Sequence, residues 1–139
     1  MNRKPTSPLA IFATAAAAGL LAALVCGAAG LPVTAKLAGR ASMPAVAAGT
    51  AVSLVAHWIG LLPVVFLLGP RPEKLLAGLL GGMSVRFFLT LLLALPLALT
   101  GWLPAAPFLV WVAVSYLVIL LADTTVLALF HRKLDAAGT

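Results

Sequence analysis

Three ionisable residues lie inside long apolar runs of this sequence and are the first candidates for chemistry. They are His57, Arg86 and Asp123. Arg86 stands near the middle of the apolar stretch 76–100, where a cation within a membrane helix costs about 2.5–3.5 kcal/mol on insertion scales. A chain that accepts this cost usually has a partner or a task for the charge. The main functional question is therefore what Arg86 faces.

The three groups are predicted to lie at similar depth in a bilayer. With a helical rise of about 1.5 Å per residue, counted from the charged residues that flank each run, Arg86 lies roughly 18 Å from one membrane edge. The same count puts His57 at roughly 21 Å and Asp123 at roughly 13 Å from that edge. All three therefore fall in the central or inner part of the membrane.

One interpretation is structural and keeps these groups within the chain. An Arg86–Asp123 ion pair would reduce the insertion cost of both residues, because a guanidinium matches a carboxylate in a bidentate way. Thr50, Ser53 and His57 have the spacing of one helical face. They are predicted to form a cluster of hydrogen bonds between helices.

A second interpretation is an ion path lined by Asp123, Thr124, Thr125, Ser115 and His57, with Ser53 nearby on the helical face of His57. One carboxylate is a poor Mg²⁺ site, because Mg²⁺ requires near-ideal octahedral oxygen coordination. This interpretation therefore needs a homo-oligomer that supplies several copies of Asp123.

A third interpretation is a partner-binding site, in which Arg86 presents its charge to a carboxylate on another membrane protein. Gly78, Gly81 and Gly82 lie on the same helix, and small residues let a partner helix approach closely. This interpretation predicts that Arg86 faces away from the fourth span and that Gly78 and Gly82 are exposed.

The composition indicates an integral membrane protein. Hydrophobic residues make up 63% of the chain, charged residues 9%, and the mean hydropathy is +1.18, whereas a soluble domain averages about 25% charged residues. The net charge of +6 comes from cations at the ends of the apolar runs. This placement indicates membrane topology and contact with the lipid bilayer, not nucleic acid.

Several chemistries lack a signature in the sequence. There is no glycine-rich phosphate-binding motif, no cluster of Cys and His with metal spacing, and no pattern that would activate Ser84 as a nucleophile. Cys26 is the single cysteine, which excludes a disulfide within the chain. We therefore expect no enzymatic activity, no cofactor and no metal site.

Four apolar runs predict an all-α fold, a single membrane domain with four transmembrane helices at about 8–31, 45–68, 75–100 and 108–130. The segment 32–44 is expected to be a loop and the tail from 131 to be frayed. Six of the Lys and Arg residues that flank the spans would be cytoplasmic with both ends inside, and two outside. The positive-inside rule thus favours both ends in the cytoplasm.

The second half of the chain, LLAGLLGGMSVRFFLTLLLAL and then APFLVWVAVSYLVILLADTTVLALF, resembles ATP synthase protein I. In that family of small four-helix membrane proteins of bacterial ATP synthase operons, the third span starts with small residues, carries a basic residue and continues as a leucine-rich run. Gly81, Gly82 and Arg86 occupy those places.

The resemblance implies a protein of the bacterial inner membrane that assists assembly of the c-subunit rotor ring, with a suggested role in Mg²⁺ or Ca²⁺ transport. By this resemblance the c subunits are the partners, Arg86 contacts their intramembrane carboxylate, and Gly78, Gly81 and Gly82 form the docking face. The alternatives are a small oligomeric cation or proton channel and a structural subunit of a larger membrane complex.

Overall fold

The computed structural model describes residues 8–67 and 75–138. Within these ranges the chain is helical and contains no strand, so the predicted all-α class is confirmed. The elements are helix α1 (Pro8–Leu37), a 3-10 turn (Arg40–Ser42), helix α2 (Met43–Leu67), helix α3 (Leu75–Leu99) and helix α4 (Ala105–Gly138).

All four helices are long and apolar enough to cross a membrane. The segments that meet this requirement are Phe12–Leu37, Arg40–Pro63, Leu80–Leu99 and Ala105–Val126. Many large apolar side chains of α3 and α4 point outward, including Phe88 and Leu121, because lipid tails solvate them as well as a protein core would. The chain is thus a multi-pass membrane protein.

Two predicted boundaries are wrong. Helix α1 continues through Pro32 to Leu37, where the sequence predicted a loop beginning at position 32. A proline removes one backbone hydrogen bond, but membrane helices tolerate this because the freed groups find other partners nearby. Helix α4 continues to Gly138, where a frayed tail was predicted from position 131, and residues 108–137 contain no Gly or Pro that would end the helix earlier.

The two described turns both use a glycine with a positive φ angle. Gly39 has φ +82° between α1 and α2, and Gly101 has φ +72° after α3. Residues with a Cβ rarely adopt this conformation, and glycine is therefore favoured directly after a helix. These two residues let the chain reverse direction within a few positions.

Helix α2 is the centre of the bundle and packs on α1, α3 and α4, whereas α3 and α4 contact each other far less. Two glycines allow this. A Cβ at Gly49 would lie 2.9 Å from the backbone nitrogen of Val112, and a Cβ at Gly60 would lie 3.0 Å from the carbonyl oxygen of Gly82. Helix α2 therefore packs closely on α4 through Gly49 and on α3 through Gly60.

Candidate functional site

Arg86 lies inside the bundle, with 3% of its surface exposed. Its Nη1 donates to Oδ2 of Asp123 at 2.7 Å, and its Nη2 donates to the carbonyl oxygen of Tyr116 at 3.0 Å. The guanidinium carbon also lies 4.7 Å from the centre of the Tyr116 ring. Arg86 therefore spans the gap between α3 and α4, and its charge is balanced within the chain.

His57 joins the same group from α2. Its Nδ1 lies 3.1 Å from Oδ2 of Asp123 and 3.5 Å from Nη1 of Arg86. Its Nε2 lies 3.3 Å from the carbonyl oxygen of Ala15 on α1. The three side chains, which we call the charge cluster (His57, Arg86 and Asp123), thus connect all four helices, and the prediction that they share one depth is confirmed.

Two polar atoms of the charge cluster are buried without a hydrogen-bond partner within the described part of the chain. They are Nε of Arg86 and Oδ1 of Asp123. A buried polar atom without a partner costs about 1–3 kcal/mol. Among the described residues, the charge cluster therefore has one unpaired donor, on Arg86, and one unpaired acceptor, on Asp123.

Small residues make room for the large ionisable side chains. A Cβ at Gly19 would overlap the His57 ring at Nε2 and Cδ2, and a Cβ at Gly60 would lie 2.7 Å from Cβ of Arg86. Neighbouring helices can approach the charge cluster only because these positions lack a side chain. The glycines give the cluster its close packing.

The predicted polar face of α2 is confirmed. Oγ1 of Thr50 lies 3.2 Å from Oγ of Ser115, and Oγ of Ser53 donates to the carbonyl oxygen of Val112 at 3.0 Å. Both bonds link α2 to α4. The cluster of hydrogen bonds between helices therefore continues from the charge cluster toward the turn between α1 and α2.

Thr124 and Thr125 do not join this polar interior. Both side chains are exposed and donate to carbonyl oxygens of their own helix, at Leu120 and Leu121. Each step along a helix turns the side chain by about 100°, so residues that directly follow Asp123 face away from it. In the single chain the two threonines therefore do not line one path with Asp123, and the ion path of a homo-oligomer stays a prediction.

The predicted docking face also differs from the structure. Gly82 is buried against Gly60, and Arg86 points toward α4, not away from it. Gly81 borders open space, since no atom of another described helix lies within 4 Å of its Cβ position. The surroundings of Gly78 lie outside the described residues. The internal ion pair, one of the three interpretations, is the arrangement that the structure contains.

Two further candidate arrangements are not formed. Ser84 is exposed and donates to the carbonyl oxygen of Leu80 on its own helix, so it does not pair with His57. In the described ranges, no group of three or more His, Cys, Asp or Glu side chains is placed to hold a metal ion. The site brings together a guanidinium, a carboxylate and an imidazole, which are groups that can bind a carboxylate or a proton.

Sequence reasoning missed three partners. Two of them are the backbone carbonyl oxygens of Ala15 and Tyr116. Every residue has such an oxygen, so the sequence does not indicate which ones accept a hydrogen bond from a side chain. The bond from Nε1 of Trp111 to Oγ1 of Thr34, 2.7 Å long, joins α4 to α1. A tryptophan in an apolar run was the only available signal for this bond, since a buried indole N–H needs an acceptor.

Comparison of this chain with protein-family models, with curated proteins and with solved structures found no match in any of the three.

Proposed function

We propose that this chain is a non-enzymatic protein of the bacterial inner membrane, with both ends in the cytoplasm, that assists assembly of the c-subunit ring of the F-type ATP synthase. Arg86 holds the intramembrane carboxylate of a c subunit until that subunit enters the ring. The resemblance of the second half of the chain to ATP synthase protein I suggests the c subunit as the partner. The charge cluster provides the guanidinium that would bind the carboxylate of that subunit.

The observation that carries the proposal is the guanidinium of Arg86, buried in mid-helix where α3 and α4 contact each other little. An arginine stays charged and presents five N–H donors in a planar fork. Nη1 and Nη2 have partners inside the chain, whereas Nε has none among the described residues. A second carboxylate would satisfy this donor.

Asp123 has a defined part in this mechanism. It balances the charge of Arg86 while no partner is bound, which lowers the cost of keeping the cation in the membrane. An arriving carboxylate competes with Asp123 for the guanidinium. The partner helix reaches Arg86 by separating α3 from α4, because the Tyr116 ring lies over the guanidinium.

The test is capture of newly made c subunit by the tagged full chain in mild detergent. We expect the wild-type chain to capture it, and Arg86→Gln to lose most of this capture. A c subunit whose membrane carboxylate is replaced by its amide should also escape capture. Thr125→Val serves as the matched control, because Thr125 is exposed and donates to the carbonyl oxygen of Leu121 on its own helix.

Each outcome has a defined meaning, provided that the variants accumulate to wild-type amounts. Failure of the wild-type chain to bind any c subunit would refute the proposal. Equal capture by wild type and Arg86→Gln would refute the role of Arg86 and place the binding energy elsewhere on the helices.

One contact favours a second candidate, a path for protons. His57 and Asp123 are titratable groups in direct contact, 3.1 Å apart, and such pairs occur in proton relays of membrane transporters. The purified chain in liposomes would then dissipate an imposed pH gradient, and Asp123→Asn would abolish the leak. A leak that is the same for wild type and Asp123→Asn would refute this candidate.

A further inference from the structure

The charge cluster contains a proton-binding group that the ion pair does not require. Arg86 and Asp123 alone balance each other's charge, yet His57 Nδ1 lies 3.1 Å from the same Asp123 oxygen that Arg86 contacts. The other ring nitrogen lies 3.3 Å from the carbonyl oxygen of Ala15. The histidine therefore stands between two oxygen acceptors.

A neutral imidazole has one N–H and cannot donate to both acceptors. If Nε2 carries the proton, the lone pair of Nδ1 faces the Asp123 carboxylate, and the hydrogen bond available to it comes from Nη1 of Arg86 at 3.5 Å. If Nδ1 carries the proton, the lone pair of Nε2 faces the Ala15 carbonyl. Only the imidazolium donates at both positions.

Building on the proposed function, we infer that His57 takes up one proton when a partner's carboxylate binds to Arg86. With His57 neutral, Arg86 and Asp123 sum to zero charge. With His57 protonated, the imidazolium balances Asp123 and leaves the guanidinium with one uncompensated positive charge. A partner carboxylate restores neutrality, and its binding is therefore coupled to the uptake of one proton from solution.

The groups that face His57 agree with this charge count. Helix α3 contributes Arg86, and helix α4 contributes Asp123 directly and Tyr116 through its contact with Arg86. Helix α1 contributes the Ala15 carbonyl and the backbone at Gly19, which lies directly against the His57 ring. Among the described residues, then, one carboxylate and one guanidinium determine the charge that His57 experiences.

The unpartnered atoms fit the same exchange. Nε of Arg86 and Oδ1 of Asp123 lack partners in the chain as described. When His57 donates to Asp123, Arg86 is free to turn its fork toward a partner carboxylate. The carboxylate–guanidinium pair then forms with the incoming helix, and His57 replaces Arg86 as the main partner of Asp123.

The test measures binding between the full chain in lipid nanodiscs and a synthetic transmembrane hairpin peptide that carries one mid-span Glu, between pH 5.5 and 8.5. Uptake of one proton makes the wild-type affinity rise by up to about tenfold for each pH unit that the pH falls. His57→Gln should bind the same peptide without this rise. Protonation of the peptide's own Glu acts in the opposite direction and is common to both chains.

A peptide with Gln in place of Glu is the matched control and should bind weakly at every pH. Asp123→Asn should bind the Glu peptide more tightly than wild type and with the weak pH dependence of His57→Gln, because its Arg86 is uncompensated from the start. Equal pH dependence of wild type and His57→Gln would overturn the inference.

Parallel binding of the c subunit separates this inference from the proposed function. Binding of the c subunit with the same pH dependence in wild type and His57→Gln would overturn the proton coupling and leave the assembly role. Binding of the Glu peptide with the expected pH dependence, without binding of the c subunit, would overturn the assembly role and support the coupling.

Binding of neither ligand would overturn the inference together with the proposed function. Solid-state NMR of the ¹⁵N-histidine-labelled chain distinguishes neutral imidazole from imidazolium, and His57→Gln assigns the signal against His131, the other histidine. At one pH at which the Glu peptide binds, we expect His57 to be neutral in the free chain and imidazolium in the complex. A neutral His57 in the complex would overturn the inference.

Discussion

Replacing Gly19 with alanine places a methyl group against the charge cluster. Helix α1 contacts His57 at this position, and a Cβ there would overlap the imidazole ring at Nε2 and Cδ2. The ring cannot simply move aside, because it is hydrogen-bonded to Ala15 at one nitrogen and lies 3.1 Å from Asp123 at the other. Either α1 shifts outward or His57 leaves its partners.

The magnitude follows from three contributions. Overpacking a tight contact costs about 1–3 kcal/mol. Loss of a hydrogen bond between membrane helices costs about 0.6 kcal/mol on average. Alanine in place of glycine in a helix interior stabilises the helix by about 0.5–1 kcal/mol, which offsets part of this loss. We therefore expect Gly19→Ala to lower the free energy of unfolding by about 1–3 kcal/mol.

Gly27→Ala is the matched control on the same helix. No atom of another described helix lies within 4 Å of a Cβ at Gly27, so this substitution keeps the helix-propensity gain without the clash. Thermal unfolding in detergent, followed by tryptophan fluorescence, should show a lower midpoint for Gly19→Ala and an unchanged or higher midpoint for Gly27→Ala. Equal midpoints for the two variants would refute the packing of α1 against His57.

Three further substitutions test the polar contacts by the same unfolding measurement. Asp123→Ala leaves Arg86 buried without its counter-charge and should destabilise the bundle by about 3–5 kcal/mol, and a smaller loss in the Arg86→Ala background would show that the two residues are coupled. Trp111→Phe removes the donor to Thr34 and should lower the free energy of unfolding by about 0.6 kcal/mol. A larger loss than that of Thr34→Val would show that Trp111 contributes more than this one hydrogen bond. Thr125→Val should change stability by less than about 0.5 kcal/mol, because surface substitutions usually do, and a larger loss would place this side chain inside the bundle.

Hydropathy was enough to predict the four helices, because a membrane span needs a length of apolar chain and little else. Hydropathy ended the first helix before Pro32 and the fourth helix at Phe130, whereas these helices continue to Leu37 and Gly138. The proline rule comes from soluble helices, and membrane helices relax it. The depth count predicted similar depths for His57, Arg86 and Asp123, since depth along a helix depends only on the rise per residue. It did not predict that His57 would join the ion pair.

The lateral arrangement was not predictable from the sequence. Although only a short loop joins α3 and α4, they contact each other little, and α2 packs on both of them through Gly49 and Gly60. Hydropathy does not show which face of a lipid-exposed helix turns inward, because lipid and protein interior are similarly apolar. The same ambiguity placed Gly82 on a docking face, although it is buried against Gly60.

Contacts outside the charge cluster also hold the bundle together. Helix α2 is already fixed on α4 by the close contact at Gly49 and by the bonds of Thr50 and Ser53. Replacing a buried ion pair by apolar side chains of similar volume is often neutral or stabilising, and lipid tails favour the replacement further. A cluster with two unpartnered buried atoms thus costs stability that the fold does not require. We take this cost as the physical reason to expect a task for Arg86, and the titratable His57 beside it as the reason to expect that the task responds to pH.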